Sequence, residues 1–99
     1  MDMKEATELL RTKMASVNDL DAVLKFDCGA DGVVVIDGKV NPHVVGTENR
    51  DDVACTVTLS PENFVGIITG KLNPGIAFVM GRIKVKGDKS GLMKLQKIL

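Results

Sequence analysis

The spacing of apolar positions changes several times along this chain, and each change marks a change of backbone. Ala6, Leu9, Leu10, Met14 and Val17 recur at helical intervals, with Glu5, Glu8, Arg11 and Lys13 between them. That period predicts an amphipathic helix over residues 3–17, broken at Asn18-Asp19. From Ala22 to Cys28 the period drops to two: Ala22, Leu24, Phe26 and Cys28 share one face, and Val23, Lys25 and Asp27 the other. Gly29-Ala30-Asp31-Gly32 supplies a turn and Val33 to Ile36 a second strand, so this stretch predicts a hairpin ended by Asp37-Gly38. Between Lys39 and Asp52, Val40 and Val44-Val45 suit a short strand that Asn41-Pro42 interrupts, followed by a polar loop. Val53, Cys55, Val57 and Leu59 then alternate with Ala54, Thr56 and Thr58, which predicts a half-buried strand.

The second half returns to helical spacing in short pieces. Ser60-Pro61 is a start signal, a hydroxyl cap followed by proline at the first helical position, with Glu62 in the favourable first turn. Phe64, Val65, Ile67 and Ile68 form a broad apolar face, and Gly70 suits the left-handed closing position. Asn73-Pro74 and Gly81 repeat the same brackets around Ile76, Ala77, Phe78, Val79 and Met80, an all-apolar run expected to be buried or to line something. Arg82-Ile83-Lys84-Val85-Lys86 alternates charge with apolar residues, as suits a strand at a sheet edge. Asp88 can cap a last helix carrying Leu92, Met93, Leu95, Ile98 and Leu99. Early strands and later helices predict an α+β fold, an antiparallel sheet with helices on one face. No repeat or linker divides residues 1–99, which therefore read as one domain.

Composition narrows the function classes. Thirteen basic and thirteen acidic residues balance, so no net field is expected to recruit nucleic acid or an anionic membrane, and membrane contact is at most transient. Three phenylalanines without tryptophan or tyrosine make a poor base-stacking platform. No apolar run approaches the ~18 residues of a membrane span, and no signal-peptide pattern opens the chain, so a cytoplasmic location is the expectation. Cys28 and Cys55 lack C-x-x-C spacing and fall at inward strand positions, as reduced buried thiols do.

Candidate chemistry is sparse. His43 is the only histidine and has no sequence-paired nucleophile, so a Cys–His enzyme is disfavoured. Asp27, Asp31 and Asp37 lack calcium-loop spacing, and they and Asp51-Asp52 read as solvated turn carboxylates. The pattern Gly29, Gly32, Gly38 opens no helix and is not a phosphate cradle. No metal, cofactor or catalytic set is expected. What remains is the apolar inventory of the second half, which serves equally as a plain core or as a cavity wall. Short, glycine-bracketed helices and five methionines favour the cavity, because such helices shift and methionine adapts its shape. The alternative is an interaction module whose helices dock on a second copy or on a lipid enzyme.

The chain also resembles a known family. Thr56-x-x-x-Ser60-x-Glu62-Asn63-Phe64, then Gly70-Lys71-Leu72-Asn73-Pro74, then Ala77-Phe78-x-Met80-Gly81-Arg82-Ile83-Lys84-Val85-Lys86-Gly87-Asp88 and Leu92-Met93-Lys94-Leu95 stand in the order seen in the sterol carrier protein 2 family. The match is strongest from Val53 onwards and looser through Phe26-Asp27 and Val34 to Gly38. The resemblance implies a five-stranded, mainly antiparallel sheet covered on one face by helices, with an apolar tunnel between. It implies non-catalytic binding and transfer of fatty acid, acyl-CoA, phospholipid or sterol-like ligands, of which a single-chain lipid or acyl-CoA fits best. Carried onto this chain, the ligand-binding residues would be Phe64, Ile67, Ile68, Leu72, Ile76, Phe78, Met80, Met93 and Leu95. On charge alone, Lys71, Arg82 or Lys84 could meet a head group near the mouth. The final Lys97-Ile98-Leu99 differs from a Ser-Lys-Leu peroxisomal address, as a stand-alone bacterial-type member would.

Overall fold

The computed structural model describes the backbone of residues 1–98 and the side chains of residues 1–96. The expected apolar roles of Ile98 and Leu99 fall outside the described side chains. The elements are α1 (Met3–Met14), β1 (Val23–Asp27), β2 (Val33–Asp37), β3 (Val44–Gly46), β4 (Cys55–Thr58), α2 (Pro61–Ile68), α3 (Pro74–Val79), β5 (Lys84–Gly87) and α4 (Gly91–Ile98). Helix α1 stops three residues short of the expected Val17. It is opened by a capping box, in which Asp2 Oδ1 accepts the Glu5 amide and Glu5 reaches back to the Asp2 amide.

The sheet order is β3-β2-β1-β4-β5, so the stretch between Gly38 and Val53 does complete a five-stranded sheet. The sheet is mainly antiparallel, as the resemblance implies: three pairings are antiparallel, and only β1 and β4 run parallel, a pairing that the alternation of residues alone did not announce. The sheet is mixed because the chain between β2 and β4 returns along the outside to the free side of β1. Registers Leu24↔Ile36, Phe26↔Val34, Ile36↔Val45, Leu24↔Cys55, Phe26↔Val57 and Val57↔Val85 put these residues on one face. That face and the inward sides of the helices form one apolar core with Leu10, Met14, Phe64, Ile67, Ile68, Ala77 and Leu95.

The other face mixes valines with polar residues and is partly covered, with Val23 and Val35 buried. Lys25 is only 8% exposed there. Its ammonium donates to Asn49 Oδ1 at 3.0 Å and to the Arg50 carbonyl at 2.9 Å, and it lies 3.7 Å from the Asp51 carboxylate. A buried lysine is tolerated because its stem packs while its head is hydrogen-bonded. Arg50 closes the same loop by bonding Asp37 and Asp52, each at 2.7 Å. Thus Asp51 and Asp52, expected as solvated carboxylates, help to hold this loop across the sheet.

Candidate functional site

The helices over the sheet are built as their capping residues require. Ser60 accepts the Asn63 amide at 3.1 Å and Asn73 accepts the Ile76 amide at 3.1 Å, each followed by proline. Gly70 at φ +81° and Gly81 at φ +75° take the left-handed conformation that a side chain resists, and they bracket α3. Asn63 also reaches the Arg82 carbonyl at 3.0 Å, tying α2 to the turn that leaves α3. Helix α4 starts against the sheet: a Cβ on Gly91 would lie 2.7 Å from the Cys55 sulfur. Lys94 fastens it further by donating to the Leu20 carbonyl at 3.1 Å.

These helices sort the nine expected ligand-binding residues into three levels. Phe64, Ile67, Ile68 and Leu95 are buried in the core, with Phe26 and Phe64 edge to face at 5.2 Å. Leu72 and Phe78 are half-buried and pack on that core, as does Leu92. Ile76, Met80 and Met93 stand in solvent at 58, 61 and 72% exposure, and Val79 joins them at 84%. The all-apolar α3 run was expected to be buried. A six-residue helix presents only one side to the core, here through Pro74, Ala77 and half-buried Phe78, while Ile76 and Val79 face outwards. Helices α3 and α4 are neighbours, since a Cβ on Gly75 would meet Gln96 Nε2 at 3.5 Å. A cleft of about 450 Å³ between α1 and β2 is lined instead by residues such as Met3, Thr7, Arg11 and Val33.

The polar candidates have structural partners. His43 Nε2 accepts the Leu20 amide at 3.2 Å and its Nδ1 lies 2.7 Å from the Val40 carbonyl, so both ring nitrogens hold backbone. Cys28 and Cys55 are free and buried. Burial, helped by Asp27 and Asp31, pushes the Cys28 thiol up to about 11, and burial with Asp88 raises Cys55. Both shifts oppose a reactive thiolate. Among the described residues no group of three or more His, Cys, Asp or Glu is placed to hold a metal ion. Of the proposed head-group cations, Lys71 and Arg82 flank α3. Lys84 pairs in register with Thr58, on the sheet face away from the helices.

Comparison with known proteins bears on this arrangement. The SCP-2 sterol transfer family matches residues 3–99. The chain belongs to that family. Among SCP-2 relatives, the non-specific lipid-transfer protein-like 1 of Caenorhabditis elegans is 36% identical over 74 residues, 72% of this chain and 63% of the relative. Human sterol carrier protein 2 is 33% identical over 70 residues, 71% of this chain but 13% of the relative. The chain therefore spans less than two thirds of the length of these relatives. The SCP-2 fold is equally plain in solved structures. The sterol carrier protein domain 2 of Helicoverpa armigera aligns at TM-score 0.70 with 29% identity, covering 96% of this chain and 82% of its own. Palmitated SCP2L2 of Aedes aegypti aligns at TM-score 0.77 with 22% identity, over 99% of this chain and 95% of its own. The latter likeness is one of fold. Among the described residues no helix is long and apolar enough to cross a membrane.

Proposed function

We propose that residues 1–99 form one non-catalytic carrier domain that takes up a single-chain apolar ligand, a fatty acid or acyl-CoA, between the helix layer and the sheet. The observation that carries this reading is the gradation over residues 72–95: Ile76, Val79, Met80 and Met93 are exposed, Leu72, Phe78 and Leu92 are half-buried and pack on the core, and Leu95 is closed within it. Large apolar side chains left together in water commonly mark a binding surface. Helix α3 has six residues between two left-handed glycines, so moving it disturbs little other backbone. The ligand would part α3 and α4 and lie against Phe64, Ile67, Ile68 and Leu95, exchanging a closed core for a filled one. Family membership supports the same class of ligand, and one relative of this fold from Aedes aegypti is described in complex with palmitate. Each methylene buried contributes ~0.8 kcal/mol, so an acyl chain suffices for micromolar binding after the costs of association.

Displacement of a fluorescent fatty acid by palmitate and by palmitoyl-CoA tests this. Saturable displacement that fails in a folded Phe78→Asp variant supports the carrier; undiminished uptake by that variant refutes the assigned wall. Phe78 suits the test because it is half-buried, whereas an aspartate at buried Ile68 would unfold the core. The exposed set favours a second reading, self-association through α3 and α4. Dimers that become monomers in Ile76→Ser/Met80→Ser protein, without ligand uptake by the parent, would establish it.

A further inference from the structure

The two edges of the sheet are finished differently. At the β3 edge α1 packs against the strand, and Arg11 Nε donates to the Val45 carbonyl at 3.1 Å. At the β5 edge, among the described residues, no helix packs along the strand in this way. The ladder shows what that edge presents. The Leu59 amide donates to the Asp27 carbonyl of β1 at 3.1 Å, and the Asp88 amide to the Ala54 carbonyl at 2.8 Å. Backbone direction alternates along a strand, so Thr56 and Thr58 bond towards β5, to their register partners Lys86 and Lys84. Val85 and Gly87 therefore turn N–H and C=O away from β4, and no group among the described residues bonds them there. The side chains sort by face. Ile83 is buried and Val85 half-buried on the helix side, whereas Lys84 and Lys86 are exposed on the other. Neither lysine, nor exposed Arg82 before them, joins an ion pair among the described residues. Asp88, the acid that follows the strand, is engaged by the Ser90 amide at 2.9 Å.

We propose that β5 receives an extended acidic segment of a partner protein as a sixth, antiparallel strand. The segment carries the pattern Asp/Glu, apolar, Asp/Glu. Its apolar residue exchanges two backbone hydrogen bonds with Val85 and extends the apolar face on the helix side. Its two acids then stand opposite Lys84 and Lys86 on the other face. Main-chain bonds supply the attachment, and the alternating side chains supply the choice of partner. The same cations argue against a second copy as the occupant. Antiparallel pairing of β5 with β5 about Val85 would set Lys84 against Lys86 twice, and like charges directly opposite destabilise a ladder. An acidic strand converts that repulsion into two attractive pairs.

The contact does not depend on the ligand carried, and it is measured on the full chain without one. A peptide of alternating glutamate and valine is titrated while the backbone amides of the protein are followed by NMR. Saturable binding is expected, with the largest shifts at the Val85 and Gly87 amides. A peptide of the same composition, with glutamates and valines in separate blocks, should bind about tenfold more weakly. N-methylation of the peptide's valines, whose amides face Val85, should abolish binding, whereas N-methylation of its glutamates should not. Lys84→Glu/Lys86→Glu, at exposed positions, should lower the affinity about tenfold and confer binding of an alternating lysine and valine peptide. Val85→Pro removes an amide that β4 does not use, and it should lose the peptide while keeping the fold. Equal binding of the block peptide, shifts confined to other residues, or indifference to Lys84→Glu/Lys86→Glu overturns the proposal. So does self-association through β5, or no binding at millimolar peptide.

Discussion

Phe26 of β1 and Phe64 of α2 meet edge to face, with ring centroids 5.2 Å apart and planes inclined at 67°. Both rings are closed to solvent, and they join the sheet to the helix layer at the centre of the core. Truncating Phe64 to alanine removes the edge-to-face contact and leaves a cavity. It should cost about 3–5 kcal/mol, read as a fall in the urea midpoint. Phe64→Leu, which keeps most of the volume, should cost less than half as much. Equal losses in the two variants would mean that the ring pair is not what joins the layers.

Arg50 holds the Asp37 and Asp52 carboxyls below their usual range, chiefly through the side-chain hydrogen bonds it donates. Because these values are lowered in the folded state, their stabilisation is present at neutral pH. It is lost as pH falls through the ordinary carboxylate range and then through the folded values. Denaturation midpoints measured from neutral to acid pH should therefore fall more steeply in the parent than in Arg50→Gln. Identical acid slopes would show that the clamp over the sheet contributes nothing to stability.

Raised thiols make a kinetic prediction. At neutral pH Cys28 and Cys55 should react with Ellman's reagent far more slowly than free cysteine, and both should react at once in denaturant. Rapid modification of one thiol in the native protein would reveal a local opening near β4 and α4, or at the β1–β2 turn.

A further test concerns the seat of α4. A Cβ on Gly91 would lie 2.7 Å from the Cys55 sulfur and 2.8 Å from its Cβ, closer than packed atoms allow. Gly91→Ala should destabilise by about 1–3 kcal/mol despite alanine's better helix propensity. Adding Cys55→Gly should recover part of the loss, so the two changes should not be additive. A neutral Gly91→Ala would place α4 farther from the sheet.

Local chemistry was the legible part of this chain. Ser60-Pro61, Asn73-Pro74, Gly70 and Gly81 mark α2 and α3 because caps and left-handed glycines act within a few residues. The period of two finds β1 and β4, the Asp31-Gly32 turn finds β2 as the second arm of a hairpin, and the cations of Arg82 to Lys86 find an edge strand. Long-range choices are not written locally. The parallel pairing of β1 with β4 depends on how the intervening chain returns, and nothing around Lys25 announces the Asn49–Asp51 loop that covers it. The outward exposure of Ile76, Val79 and Met80 was hidden for a different reason, since an all-apolar run has no periodicity to show which side will pack.

The carrier reading is tested most directly by native mass spectrometry of the full chain, purified without detergent and then mixed with palmitate. The account predicts a one-to-one complex that is absent in Phe78→Asp. An unchanged apo mass in the parent, at palmitate concentrations well above micromolar, would contradict it and leave α3 and α4 as an interaction surface only.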